Sequence, residues 1–142
     1  MSHTMIYDKA KYHYEGEFPK ELSIEQAFVH TGMFLGWIIE NNLFSKEFFE
    51  ETQDEINKFK LRQMTGTQIY MHWDGVLADD MLNDVGNQFA MDYFDFENGI
   101  FLNDYENIFS DIETLYHVQD TWVNYFKLKE IVDNRYLVWQ SK

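Results

Sequence analysis

The stretch "SIEQAFVHTGMFLGWIIEN", Ser23 to Asn41, decides the class of this fold. Ile24, Ala27, Phe28, Thr31, Phe34, Leu35 and Ile38 recur at helical spacing, and Val29, Met33 and Trp37 widen the apolar stripe. So broad a face predicts a central helix from Ile24 to Asn41 packed on more than one side. Ser23 followed by Gln26 is a capping-box pattern at its start. Gly32 and Gly36 each cost about 1 kcal/mol against alanine inside a helix, and close approach of another backbone is the reason to keep them.

Working outward, "YEGEFPK" carries turn punctuation, so the residues before Leu22 read as an extended arm contributing Tyr12, Tyr14 and Phe18. Ser45 caps a second helix running to about Met64, with Phe49, Ile56 and Phe59 inward and Glu47, Glu50, Glu51, Asp54 and Glu55 outward. "TGTQIYMHW", residues 65 to 73, suits a strand or a helix equally. A third helix is expected from Asp79 as cap through Phe96, with Met81, Leu82, Val85, Phe89 and Phe94 on its apolar side and Gly99 as a left-handed stop. "IFLNDYENIF" reads as irregular and "TLYHV" as a short strand. A last helix begins at Asp120 or Thr121 and buries Trp122, Tyr125, Leu128, Ile131, Val132 and Leu137. The expected fold is mainly α, a compact single domain of about four to six helices over residues 5–142, with at most a small β element. Residues 1–4, "MSHT", read as a disordered or non-native extension, and His3 enters no site argument.

Composition narrows the function. The chain has 142 residues and no cysteine, which excludes disulfides, thiolate nucleophiles and zinc–thiolate sites. No apolar run approaches the roughly 20 residues that span a bilayer, and no leader pattern opens the chain, so a cytoplasmic protein is expected. The net charge of −14 makes nucleic acid or an anionic membrane a poor partner. From Arg62 to Lys127 no other Lys or Arg intervenes, while acids run from Asp74 to Asp120. That half of the chain is either a solvated face that keeps the protein soluble or a landing zone for a basic protein or for metal cations.

"IYMHWDGVLADD", Ile69 to Asp80, has the look of the nucleophile loop of haloacid dehalogenase-like phosphotransferases. Aligning Asp74, Gly75, Val76 and Leu77 with that loop puts His72 where the attacking aspartate must stand, and histidine cannot supply the acyl-phosphate. The strand–helix alternation of a parallel sheet is also missing. The phosphatase reading fails on both counts.

Four other stretches carry a more specific likeness: "YHYEGEFP" (Tyr12 to Pro19), "HTGMFLGW" (His30 to Trp37), "DGVLADDMLNDVGNQFAMDYFD" (Asp74 to Asp95) and "LYHVQDTWVNYF" (Leu115 to Phe126). Their content and order resemble a family of small, uncharacterised bacterial proteins with forms such as "WHYGGDFP", "HIGMFLAW", "DGKFTDEDLNEEGNAFA" and "LYHVPDTWENF". The resemblance covers Tyr7 to Trp139 and implies one intact domain in a bacterial cytoplasm, with no assigned chemistry. Val76 and Gln119 depart from the family's lysine and proline, so a role for a lysine at position 76 does not transfer.

Candidate sites follow from residue chemistry. His13, His30, His72 and His117 are dispersed, with no i, i+4 pair, and no metal or other cofactor is expected. Asp80, Asn83, Asp84 and Asn87 share a helical stripe but lack the ligand spacing of an EF-hand. Asn83, Gly86 and Asn87 inside a helix sum to a propensity cost of about 2 kcal/mol. Asn87 capping a neighbouring segment, with Gly86 admitting a close contact, would offset it.

The leading expectation is an acidic protein-binding module, an immunity protein that neutralises a basic toxin domain in contact-dependent or secretion-delivered bacterial competition. Its binding face would hold Asp79, Asp80 and Asp84, with Trp73 or Tyr93 as aromatic anchor. The alternative is a small-ligand or enzymatic pocket where the arm meets the His30 helix and the "LYHV" segment, drawing on His13, His30, Asn83, Asn87, His117 and Trp122. No nucleophile elbow or assembled catalytic set accompanies those residues, so the reading leans away from an enzyme.

Overall fold

Eleven consecutive residues of the central helix, Val29 to Ile39, are buried on every side. The computed structural model describes residues 5–142, and the reading of residues 1–4 lies outside it. It contains strand β1 (Ile6–Lys9), helices α1 (Ala10–Tyr14), α2 (Val29–Glu40), α3 (Lys46–Lys60) and α4 (Gly66–His72), strand β2 (Val76–Ala78), and helices α5 (Asp84–Tyr93), α6 (Phe101–Ile108) and α7 (Trp122–Gln140). The fold is mainly α with one small antiparallel sheet, as expected. β1 and β2 pair Ile6 with Ala78, Asp8 with Leu77 and Lys9 with Val76, with an irregularity between Ile6 and Asp8. No helix among the described residues is long and apolar enough to cross a membrane.

The first turn of the central segment is a 3-10 helix, Ile24–Phe28, and Ser23 makes no side-chain cap there. Gln26 instead donates to the carbonyls of Tyr116 and Val118 at 2.8 and 2.9 Å, fastening this turn to a distant loop. Ile24 is exposed rather than inward. The glycines of α2 do what their cost suggested. A Cβ on Gly32 would lie 2.5 Å from the Thr67 Cα, and one on Gly36 would lie 3.4 Å from the Gly66 Cα, so α4 crosses α2 backbone to backbone.

Residues 65–73 therefore resolve as helix, started by a complete capping box between Thr65 and Gln68. The Asp74–Gly75 pair that resembled a phosphatase loop is a turn with both residues at positive φ, 58° and 66°, leading into β2. Asparagine, aspartate and glycine are the residues that tolerate that conformation.

Several expectations are corrected. Ser45 caps α3 by accepting from the Phe48 N–H, but Phe48 points inward and Phe49 is 42% exposed. The third helix starts at Asn83, whose side chain accepts from the Gly86 N–H, and Asp79 belongs to a preceding 3-10 turn. Asn83 thus sits where asparagine is favoured, which removes its share of the propensity cost. Gly99 has no positive φ; its constraint is contact, since a Cβ there would lie 2.1 Å from the Tyr93 carbonyl oxygen. The stretch expected to be irregular forms α6, and "LYH" is a 3-10 turn rather than a strand. Thr121 caps α7, which buries Tyr125, Leu128 and Val132 but leaves Leu137 64% exposed.

Candidate functional site

β1 and α1 bring to the centre of the molecule a carboxyl that sequence reasoning passed over. Asp8 is 3% exposed, and its side chain accepts a hydrogen bond from the Thr31 hydroxyl on α2 at 2.6 Å. His13, from α1, places Nε2 2.8 Å from Asp8 Oδ1, and its Nδ1 is hydrogen-bonded to the Tyr116 hydroxyl at 2.8 Å. His30, one residue before Thr31, lies with its ring centroid 4.6 Å from that of His13 and its Nε2 3.7 Å from Asp8 Oδ2. That last distance exceeds a hydrogen bond. Phe96, Tyr105 and Tyr116 close the remaining sides of the His30 ring.

Burial sets the electrostatics of this cluster. Desolvation holds the His30 imidazole neutral, its pKa pushed down to about 3; the nearby Asp8 opposes this and His13 adds to it. Burial, reinforced by Asp8, raises the Tyr116 phenol above its usual value. Neither ring nitrogen of His30 has a hydrogen-bond partner among the described residues. An unpaired buried polar group ordinarily costs about 1–3 kcal/mol.

Of the six residues of the expected pocket, His13 and His30 come together and the other four do not. His117 faces Glu21 and Glu113 at 3.5 and 3.4 Å, and its Nδ1 meets the Thr114 hydroxyl. Asn87 donates to the carbonyls of Asp79 and Leu82 and accepts from the Tyr7 hydroxyl at 2.6 Å, the internal capping that the sequence suggested. Gly86 meets Leu43, where a Cβ would lie 2.6 Å from the carbonyl oxygen. Trp122 packs on Phe59 and Tyr125 beneath the Arg62 guanidinium, which forms a bidentate pair with Glu40. A groove of about 450 Å³ opens elsewhere, between α5 and α7, lined by Phe89, Ile100, Arg135, Val138 and Trp139 among others, and no histidine reaches it.

The residues expected on a binding face differ in exposure. Asp80 and Asp84 are exposed, and Asp79 is half-buried with its carboxyl accepting from the Met5 N–H. The Asp80 carbonyl accepts from the Ser45 hydroxyl, which sets this acidic turn against the start of α3. Trp73 stacks on Phe48 at 5.0 Å and lines a shallow cleft of about 250 Å³ with Glu51, Glu55, His72 and Asp74. Tyr93 cannot be an anchor: it is 4% exposed and donates to Asp104, which Arg135 also holds. Phe49, misread as inward, is the exposed ring beside the acids of α3.

A family model described as a domain of unknown function (DUF7832) matches residues 6–118, from β1 to the turn before α7. No curated protein and no solved structure matches the chain.

Proposed function

We propose that this chain, which belongs to the DUF7832 family, is an acidic protein-binding module for a basic protein, and specifically an immunity protein that neutralises a basic toxin domain. One observation carries the reading. Asp80 and Asp84 are exposed and make no ion pair among the described residues, and the Asp80 carbonyl meets Ser45 at the start of a helix whose own Glu47, Glu50, Glu51 and Asp54 are also exposed, Glu50 alone of these pairing with Lys46 at 4.0 Å. Asp-rich and Glu-rich surface next to Phe49 and the Trp73 cleft supplies the two ingredients of fast, tight capture. Unneutralised charge steers a cationic partner inward, and aromatic surface slows its release.

A toxin that cuts nucleic acid must be cationic where it grips phosphates, which fits this face in sign. The pocket alternative has less support, since its six residues do not converge: His13 and His30 adjoin, Asn83 and Asn87 share the first turn of α5, and His117 and Trp122 have other neighbours.

Affinity capture from a lysate of the source cells, at low and at high salt with mass-spectrometric readout, tests the proposal. One basic polypeptide, weakened but not abolished by salt, is expected. Recovery of no basic polypeptide would overturn it.

A further inference from the structure

His30 is a fully buried side chain with two unpartnered nitrogens, and one of them faces a carboxyl beside a second imidazole. We propose that Asp8, His13 and His30 form a binding site for one divalent transition-metal cation, zinc or a first-row neighbour. The candidate ligand atoms all lie within 4.8 Å of one another. Two ligands at 2.0–2.1 Å from a tetrahedral zinc stand about 3.3 Å apart. Asp8 Oδ2 lies 3.1 Å from His13 Nε2 and 3.7 Å from His30 Nε2, so the separations from this one oxygen bracket that value. Small side-chain movements suffice to enclose an ion.

The donor set selects the ion class. Two imidazoles with one carboxyl suit zinc and iron(II), whereas calcium and magnesium take oxygen ligands. Supporting contacts are also in place. His13 Nδ1 bonds the Tyr116 hydroxyl and Asp8 Oδ2 accepts from Thr31, the kind of outer partners that orient metal ligands. His13, 16% exposed, is the edge through which an ion enters. Because Asp8 and His13 belong to β1 and α1 while His30 belongs to α2, the ion would clamp the N-terminal segment onto the central helix. The sequence hid this site because its ligands are 5 and 17 residues apart on three elements.

The surface trio Glu21, Glu113 and His117 is the built-in comparison, as both its carboxylates are exposed and it holds no buried, unpartnered nitrogen like those of His30. The test uses the full chain without a polyhistidine tag, stripped with a chelator, and titrated with zinc by calorimetry and with cobalt(II) by visible absorption. One equivalent should bind, with cobalt bands of low-coordinate nitrogen–oxygen ligation and a higher melting temperature. Tyr116→Phe should weaken binding about tenfold, by the scale of outer-partner effects, and His13→Gln by more. His117→Gln should leave it unchanged. His30→Leu should abolish binding, and because His13 is at the surface edge, its variant carries the test if His30→Leu does not fold. Absence of saturable binding, equal affinity in His13→Gln, or loss in His117→Gln alone would overturn the proposal.

Discussion

The Gly66 and Gly36 backbones touch: a Cβ on Gly66 would lie 2.7 Å from the Gly36 Cα and nitrogen and 2.3 Å from the Gly32 carbonyl oxygen. None of these atoms is a flexible side-chain tip, so the helices would have to separate to admit even a methyl group. Gly66→Ala is expected to destabilise by about 1–3 kcal/mol, the usual cost of overpacking. Urea denaturation checks this, and an unchanged midpoint would mean that α4 does not lie on α2 this closely.

Asn87 fastens three segments at once, through the carbonyls of Asp79 and Leu82 and the Tyr7 hydroxyl. Asn87→Ala should cost about 1–3 kcal/mol because it strands partly buried partners. Tyr7→Phe, which removes one hydroxyl, should cost less. If both variants melt with wild type, the strand and α5 are held together by other means.

Alkaline pH should unfold the protein cooperatively. Burial is the first cause that raises the phenols of Tyr70, Tyr93, Tyr105 and Tyr125, with Asp104 adding at Tyr93 and Glu40 at Tyr125. A phenol that is harder to ionise when folded leaves stability intact below the ordinary value of 10.0 and removes it as pH rises above that, where the unfolded chain loses more protons. Denaturant midpoints should fall across this range, with phenolate absorbance appearing together with loss of helix. Smooth titration of all nine tyrosines before any loss of helix would contradict the burial.

Much of the architecture was legible where pattern and chemistry agreed. The stripe from Val29 to Ile38, the glycines spaced for a close crossing, the Ser45 cap, and a last helix starting at Asp120 or Thr121 all read directly from residue type and spacing. In α3 the expected inward Ile56 and Phe59 are buried, but the row continues through Thr52 to Phe48 rather than Phe49, because a polar threonine masks the stripe. α6 was missed for a similar reason. Its inward row of Phe101, Asp104 and Tyr105 contains a carboxyl that is tolerable inside only because Arg135 and Tyr93 reach it from other helices. The Thr65–Gln68 capping box, by contrast, is present in the sequence and marks the start of α4.

The candidate site was less legible. Asp8 stands alone in "IYDK", and nothing local marks it as buried; its partners arrive from α1, α2 and the Tyr116 turn only in three dimensions. The spacing of Asp8 five residues before His13 is the one usable signal. The exposed acids, by contrast, are visible at once, because most charge of one sign over half a chain must reach solvent, with Asp104 the buried exception.

The most direct test of the acidic-face account is the association rate of the captured basic partner with wild type and with the double variant Asp80→Lys, Asp84→Lys, followed by stopped flow across a range of salt. The account predicts a folded variant whose association is markedly slower at low salt, with the difference shrinking as salt screens the charges. An unchanged association rate at low salt would contradict it and place the interface on another surface.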